Sequence, residues 1–188
     1  PPGAHEHRAS CLLFQKCLTG FPGVNVVVYD GGWPKKQVDG QAVDDDAALD
    51  GADAIVIYSD GGVKHPALVG ERLAVLGRHV NRGAGFGAIH YAVEPTKEKG
   101  QNEVLEWIGG AFETHWSVNP HWDGNFKELP VHPVTRGVRP FTTNDEWYFN
   151  MRFRDGKAGV SDILVTTPSD AVRDGPYVHP KGPYPHIQ

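Results

Sequence analysis

Long apolar runs are missing from this chain of 188 residues, and no stretch approaches the ~20 residues that a membrane span requires. An excess of positive charge is missing too. The formal net charge is -5, which argues against a surface that binds nucleic acid or anionic lipid. Internal repeats and low-complexity tracts are also absent. An apolar content of 39% with 22% charged residues is typical of a soluble globular protein, and the length suits one domain.

Cysteine is scarce, with only Cys11 and Cys17 in the chain. They stand six residues apart in a predicted helix, which separates them too far for a disulfide. We expect both to pack as small apolar thiols. A chain without structural disulfides fits a reducing cytoplasm and other compartments alike. The opening residues PPGAHEH show no signal-peptide pattern, so a cytoplasmic and a periplasmic location both stay open.

Two common catalytic motifs are absent, the G-x-S-x-G of serine hydrolases and the phosphate-binding P-loop. The segment GAGFGA at 83–88 copies the glycine spacing of a dinucleotide-binding loop only in part. Its glycines precede a predicted strand, whereas those of a dinucleotide-binding loop follow one. The sequence therefore favours neither interpretation.

What the chain does contain is an alternation of apolar strands and amphipathic helices. Residue spacing and turn signals predict helices at 7–18, 65–83 and 102–112, a helical turn at 44–51, and strands at 24–30, 52–60, 86–90, 144–153 and 162–167. The stretch after the third helix, up to about residue 138, and the tail from 174 are predicted to be irregular. This order predicts an α/β domain with a mostly parallel sheet covered on both faces. Such sheets bind ligands beyond the carboxyl ends of their strands.

Histidine is abundant, with ten in the chain, and several stand where chemistry is expected. His90 ends the strand at 86–90, where it could bind a metal or act as a general base, or simply pack at the strand end. Glu94 follows four residues later, but Pro95 disfavours the helical geometry that would pair them. His5 and His7 are two apart before a helix, a workable metal pair if they are not merely solvated. A helix N-terminus also disfavours a charged imidazole at His7.

A segment rich in histidine and tryptophan forms a second candidate, ETHWSVNPHW at 113–122. Indole faces bind the C–H face of sugars, and imidazoles meet hydroxyl groups. The alternative is that the tryptophans fill the core beneath a long loop. In the strand at 144–153, period-2 alternation puts Glu146, Tyr148 and Asn150 on one face. A carboxylate among apolar neighbours is usually paired or ligated, so Glu146 is a candidate partner for His90 and His115.

Taken together these segments resemble the trehalose-utilisation family (ThuA-like proteins). The resemblance is carried by GAHEHRASCLL, ALDGADAIVIYSDGG, GAGFGAIHYAVE, WIGGAFETHWSVNPHW, HPVTRGVRPF and DEWYFNMRF. It implies a flavodoxin-like three-layer sandwich with a mostly parallel sheet, of the class I glutamine-amidotransferase-like superfamily. It also implies a single domain over 1–188 that lacks the family's first strand and C-terminal segment. The elbow that carries a catalytic cysteine in the amidotransferases is occupied by His90, so glutaminase chemistry is not expected.

The resemblance further implies a role in carbohydrate metabolism, with a trehalose-type disaccharide as the small-molecule partner and no nucleic acid or membrane. We expect metal-assisted hydrolysis or isomerisation, with Zn²⁺ or another divalent metal as cofactor. The alternatives are a non-catalytic sugar-binding domain and a partner-binding domain on the same scaffold; the oligomeric state stays open. The expected catalytic residues are His90 and Glu146. The expected metal ligands are His5, His7, His90, His115 and Glu146. The expected substrate-binding residues are Tyr91, Trp116, His121 and Trp122.

Overall fold

The computed structural model describes residues 5–173, which fall into two compact units divided between Pro95 and Thr96. The first unit contains helix α1 (His7–Leu18), strands β1 (Lys35–Val38), β2 (Gln41–Asp44) and β3 (Ala54–Tyr58), helix α2 (Arg72–Asn81) and strand β4 (Gly85–Ile89). Short 3-10 turns lie at Asp46–Leu49, Gly62–Lys64, Pro66–Leu68 and His90–Val93. Among residues 5–173 no helix combines the length and apolarity needed to cross a membrane.

The centre of the first unit is a parallel pair, in which β3 and β4 run side by side from Ala54 opposite Gly85 to Tyr58 opposite Ile89. Helix α2 connects them as a crossover and contributes Val75 and Leu76 to the core. The backbone after α2 turns at Gly83, whose φ of +98° suits glycine. Parallel strands end at the same edge, so the loops that follow β3 and β4 are neighbours.

A hairpin that sequence reasoning did not predict joins β1 to β2. Its turn is Asp39–Gly40, and both residues have positive φ angles of 50° and 79°, as a two-residue hairpin turn requires. Asp44 at the end of β2 accepts hydrogen bonds of 2.7 and 2.9 Å from the guanidinium of Arg72. Arg72, together with Lys35, holds the pKa of Asp44 well below its usual range. This ion pair ties the hairpin to α2.

Three predictions about the first unit are corrected by the structure. The segment 24–30 forms no strand, because it has no ladder partner among the described residues, and Val27 is largely exposed. The strand predicted at 52–60 exists as β3 but is not fully buried, since Val56 is 61% exposed. Among residues 5–173, the parallel sheet contains two strands, β3 and β4. Helix α1 has the predicted bounds, yet none of its residues is buried, Cys11 and Cys17 included.

The second unit contains helix α3 (Gln101–Ile108), strands β5 (Gly110–Ala111), β6 (His121–Phe126), β7 (Phe141–Glu146) and β8 (Arg152–Phe153), and the short helix α4 (Asp170–Arg173). Strand β6 pairs antiparallel with β7, from His121 opposite Glu146 to Phe126 opposite Phe141. Strand β5 pairs antiparallel with β8. The core of this unit is a cluster of Val118, Trp122 and Phe149, with Trp147 and Val172 packed against it.

The second unit also corrects predictions. The strand predicted at 144–153 is broken into β7 and β8. The break coincides with Asn150, which has a φ of +58° and donates from Nδ2 to the carbonyl of Trp116. The strand predicted at 162–167 does not form, and the region predicted to be irregular contains β6. The predicted tail from 174 lies outside the described residues. The described chain is a mixed α/β protein with small parallel and antiparallel sheets.

Candidate functional site

The candidate site lies at the carboxyl ends of β3 and β4, in the first unit. Ser59, Asp60 and Gly61 follow β3, and the turn His90–Val93 follows β4. The two loops are joined by a hydrogen bond of 2.6 Å from the amide of Gly62 to the carbonyl of Glu94. A Cβ on Gly61 would lie 2.4 Å from the carbonyl oxygen of Tyr91. Only glycine allows the loops to approach this closely.

His90 occupies a sharp turn directly after β4. Its φ of +53° places a non-glycine residue in the left-handed region, where backbone strain of order 1–3 kcal/mol is typical of functional sites. The turn projects the His90 imidazole from the strand end instead of continuing the alternation of β4. His90 thus stands where the sequence predicted the end of this strand, and a 3-10 turn follows.

His65, a buried histidine that was not predicted as a site residue, forms a hydrogen bond to this turn. His65 is 1% exposed, its Nε2 lies 3.0 Å from the carbonyl oxygen of Ala92, and its Nδ1 accepts from the amide of Ala67. Nδ1 is therefore the unprotonated nitrogen and Nε2 is the donor. Burial lowers the pKa of His65, so the ring is neutral and structural.

Four side chains of the first unit converge above the two loops. Nε2 of His5 lies 3.0 Å from Nε2 of His90, and Nδ1 of His5 lies 3.9 Å from Oδ1 of Asp60. Nε2 of His7 lies 3.8 Å from the same oxygen of Asp60. One ligand atom from each of His5, His7 and Asp60 lies within 4.8 Å of the others.

The set has the chemistry of a divalent-metal site. In a tetrahedral zinc site with bonds of ~2.1 Å, ligand atoms lie about 3.4 Å apart, slightly closer than the distances between Asp60 and the two histidines. Nε2 of His7 is buried and has no hydrogen-bond partner among the described residues. Buried imidazole nitrogens are normally satisfied, and a ligated metal would satisfy this one. Two imidazoles and one carboxylate also leave a coordination position open for substrate or water.

Two tyrosines border this cluster. The Tyr58 ring packs edge-on against His7 at 4.8 Å between centroids, and the Tyr91 ring lies 6.0 Å from that of His5. Burial raises the pKa of Tyr91, and the charges of Glu94 and Asp60 raise it further. The Tyr91 phenol therefore stays protonated at neutral pH and can donate a hydrogen bond to a ligand.

The remaining predicted site residues belong to the second unit. His115 is exposed, at a left-handed position with a φ of +66°, and His121 is exposed at the start of β6. Glu146 ends β7 opposite His121 and accepts a hydrogen bond from Asn119. The roles of His115 and Glu146 as metal ligands, and of Glu146 in catalysis, stay predictions.

The two tryptophans of the 113–122 segment differ in their exposure. Trp122 is 7% exposed, donates from Nε1 to Thr166, and packs against Trp147 and Phe149. It fills the core of the second unit, which is the alternative that the sequence left open. Trp116 is half-buried, and the guanidinium of Arg152 stacks on its ring at 3.6 Å.

Sequence reasoning missed Asp60, Gly61 and His65. Asp60 stands in YSDGG, a strand end followed by two glycines, and this signal points to a binding edge in the same way as His90 does. Gly61 is the first of these two glycines, and a glycine directly after a strand is a signal for a place where the backbone is approached closely. Nothing in the sequence distinguishes His65 from a histidine that begins a helix, because its burial depends on the loop at 90–94.

Comparison with known proteins agrees with the resemblance drawn from the motifs. No curated protein and no solved structure matches the chain. The family profile described as "ThuA: Trehalose utilisation" matches residues 25–184, which is most of the chain and includes the loops after β3 and β4. The chain therefore belongs to the ThuA family of trehalose utilisation.

Proposed function

We propose that this protein binds a divalent transition metal through His5, His7 and Asp60 and uses it on a carbohydrate. The observation that carries the proposal is Nε2 of His7, which is buried without a hydrogen-bond partner and lies 3.8 Å from Asp60. Imidazole nitrogen with carboxylate oxygen suits zinc and its neighbours among the first-row metals.

His90 is the group placed to move a proton beside this centre. Its Nε2 lies 3.0 Å from Nε2 of His5, so one of the two nitrogens carries the shared proton and the other accepts it. If His5 coordinates through Nδ1, its Nε2–H donates to His90 and fixes the orientation of both rings. Tyr91 supplies a hydrogen-bond donor at the same edge. A bound metal would polarise a carbonyl or activate a water.

Family membership supports the assignment of the substrate to the carbohydrates, with a trehalose-type disaccharide as the first candidate. Hydrolysis and isomerisation both require proton transfer next to a polarised oxygen, which is the chemistry that His90 and the proposed centre would provide. Glutaminase chemistry would require a nucleophile at the elbow, and the side chain there is the imidazole of His90. The parallel order of β3 and β4 supports a flavodoxin-like, amidotransferase-like arrangement for the family fold.

Metal content tests the centre. Protein purified without a histidine tag and dialysed is expected to carry close to one equivalent of transition metal by elemental analysis. His7→Ala and Asp60→Asn are each expected to reduce this at least tenfold. His132→Asn is the matched control, because it removes a histidine outside the site. His132 caps the short 3-10 turn Pro133–Thr135, and asparagine can serve as the cap in its place. Metal well below one equivalent, without a thermal shift when zinc is added, would refute the centre.

A sugar panel tests the substrate assignment separately. Disaccharides, their oxidised keto forms and uronates are incubated with metal-loaded protein and with protein treated with a chelator, and products are followed by chromatography. Turnover that needs metal and is abolished in His90→Ala supports the proposal. Saturable sugar binding with neither turnover nor metal dependence would replace it with the non-catalytic alternative.

A further inference from the structure

The second unit contains an open cleft of about 440 Å³ whose lining is rich in cations. Arg152, Arg154 and Lys157 line it, together with the half-buried Trp116. The metal site proposed above uses none of these residues.

Arg152 is held rigidly at one wall of the cleft. The central carbon of its guanidinium lies over the indole of Trp116, 3.6 Å from the ring centroid, and its Nε donates to Oε2 of Glu113 at 2.5 Å. Glu113 is itself fixed by Lys97 at 2.6 Å. Its pKa is lowered to about 2, mainly by the hydrogen bond from Arg152. These contacts occupy only the Nε donor, and the Nη atoms of Arg152 have no hydrogen-bond partner within residues 5–173.

Arg154 lies in the same cleft and makes no side-chain hydrogen bond within the described part of the chain. Its Nε atom is buried without a partner. Two glycines make room for the guanidinium: a Cβ on Gly109 would lie 3.0 Å from Nη2 of Arg154, and a Cβ on Gly159 would lie 3.6 Å from it. The Arg154 amide donates to the carbonyl of Gly109 at 3.1 Å, which anchors the residue beside the C-terminal end of α3. The helix dipole favours a cation there.

Within residues 5–173, no carboxylate around the cleft is paired with the Nη atoms of Arg152 or with the guanidinium of Arg154. Glu113 takes Nε of Arg152, and both oxygens of Asp162 lie 3.3 Å from Nζ of Lys157. Asp155 also lines the cleft, and the local charge is therefore close to balanced. What distinguishes the cleft is a surplus of N–H donors, on two guanidinium groups, that have no acceptor among residues 5–173.

We propose that this cleft binds an oxyanion, either a phosphate group or a carboxylate, between Arg152 and Arg154. Guanidinium groups present paired N–H donors that match two oxygens of such a group. The stack on Trp116 and the bond to Glu113 orient Arg152 before a ligand arrives, which reduces the ordering cost of binding. Because the charge is nearly balanced, we expect millimolar affinity for a small probe. This site is independent of the metal centre.

Titration calorimetry with inorganic phosphate and with acetate, at constant ionic strength, tests the proposal. Saturable binding of at least one probe is expected, and which one binds identifies the ligand class. Arg154→Gln is expected to weaken it at least tenfold. Arg139→Gln is the matched control, since Arg139 is an exposed arginine of the same unit outside the cleft, and should bind as the wild type does. Asp60→Asn should also bind normally, which separates this site from the metal centre.

Thermal melting of each variant checks that it is folded. If Arg154→Gln does not fold, Arg154→Lys is used in its place. Lysine keeps the positive charge but lacks the paired N–H donors of the guanidinium. Binding to this variant should be several-fold weaker than to the wild type. The proposal is overturned if neither probe binds saturably to the wild type. It is equally overturned if the folded Arg154 variant binds with unchanged affinity, or if Arg139→Gln weakens binding as much.

Discussion

At the scale of single residues, the candidate site depends on one unusual backbone conformation and on one close approach between loops. His90 adopts a left-handed conformation at the end of β4, and Gly61 provides the gap into which the following turn fits. The first determines where the imidazole points. The second allows Asp60 and His90, which leave neighbouring strands, to face a common space.

Gly61→Ala tests how closely the two loops must approach. The new methyl would overlap the carbonyl oxygens of Tyr91 and Glu94, at 2.4 and 2.6 Å. Both atoms belong to the backbone, so a side-chain rotation cannot relieve the overlap. We expect a loss of about 2–3 kcal/mol in the free energy of unfolding, as for other overpacked sites, with weaker metal binding. Urea denaturation and metal titration measure the two effects.

Gly85→Ala provides the comparison for that variant. Gly85 lies in β4 of the same unit, and a Cβ there would make an ordinary contact of 3.5 Å with Ala54. Its unfolding free energy should change by less than about 1 kcal/mol. If Gly61→Ala were as stable as Gly85→Ala and kept its metal, the two loops would not need the close approach described.

At the scale of elements, the antiparallel pair β6–β7 contributes Trp122 to the core of the second unit. From the sequence, this side chain was a candidate for binding a sugar. The burial of β6 alternates strictly, with Trp122, Gly124 and Phe126 inside and the residues between them outside. A Cβ on Gly124 would lie 2.6 Å from the Trp147 ring, so that glycine is part of the packing. The alternation means that His121 and Trp122 cannot both face a ligand.

Replacing Trp122 by alanine distinguishes a core residue from a ligand platform. We expect Trp122→Ala to destabilise the second unit by about 3–5 kcal/mol, the usual cost of truncating a buried aromatic side chain. His121→Ala, the exposed neighbour on the same strand, should change stability by no more than about 0.5 kcal/mol. Chemical denaturation of both variants measures this. A stable Trp122→Ala that had lost sugar binding would restore the platform interpretation.

At the scale of the whole molecule, three ionisable groups with lowered pKa values contribute to the acid dependence of stability: His65 and Asp44 in the first unit, and Glu113 in the second. The pKa of His65 is lowered by burial from an ordinary value of 6.5, so the unfolded chain takes up a proton more readily than the folded one. The contribution of the neutral His65 ring to the free energy of unfolding is complete above pH 6.5 and is lost as the pH falls below that value. The pKa of Glu113 is lowered from 4.5 to about 2. Its contribution is present above pH 4.5 and is lost as the pH falls toward 2.

Unfolding free energies should therefore decrease in two steps on acidification. The step below pH 6.5 should be smaller in His65→Gln than in the wild type, because only the wild type has a buried imidazole at position 65; both proteins are measured in the presence of a chelator. The step below pH 4.5, to which Asp44 also contributes, should shrink in Glu113→Gln by no more than about 3.5 kcal/mol, at 1.4 kcal/mol per pKa unit. Urea titrations across the pH range provide the measurement. Identical pH profiles for wild type and His65→Gln would contradict the role given to His65.

The sequence by itself determined what depends on neighbours along the chain. The apolar spacing of HRASCLLFQKCL predicted the bounds of α1, and Gly83 marked the end of α2, because helix period and capping are local properties. The runs that became β3 and β4 were recognisable from their apolar side chains, and the position of His90 at a strand end followed from them. Motifs spread along the chain, from GAHEHRASCLL to DEWYFNMRF, were also sufficient to indicate the ThuA family.

Tertiary structure decided what depends on contacts between distant segments. The run at 24–30 has the side chains of a strand but no partner among the described residues, and a strand needs a partner for its backbone hydrogen bonds. The sequence around Trp122 does not show whether this side chain faces a ligand or lies in a core. The pairing of β6 with β7 decides it. Asp60 and His90 became neighbours only because β3 and β4 end side by side, and His65 became structural only when the loop at 90–94 packed against it. Local patterns report conformational preference, whereas burial and proximity arise from packing the chain upon itself.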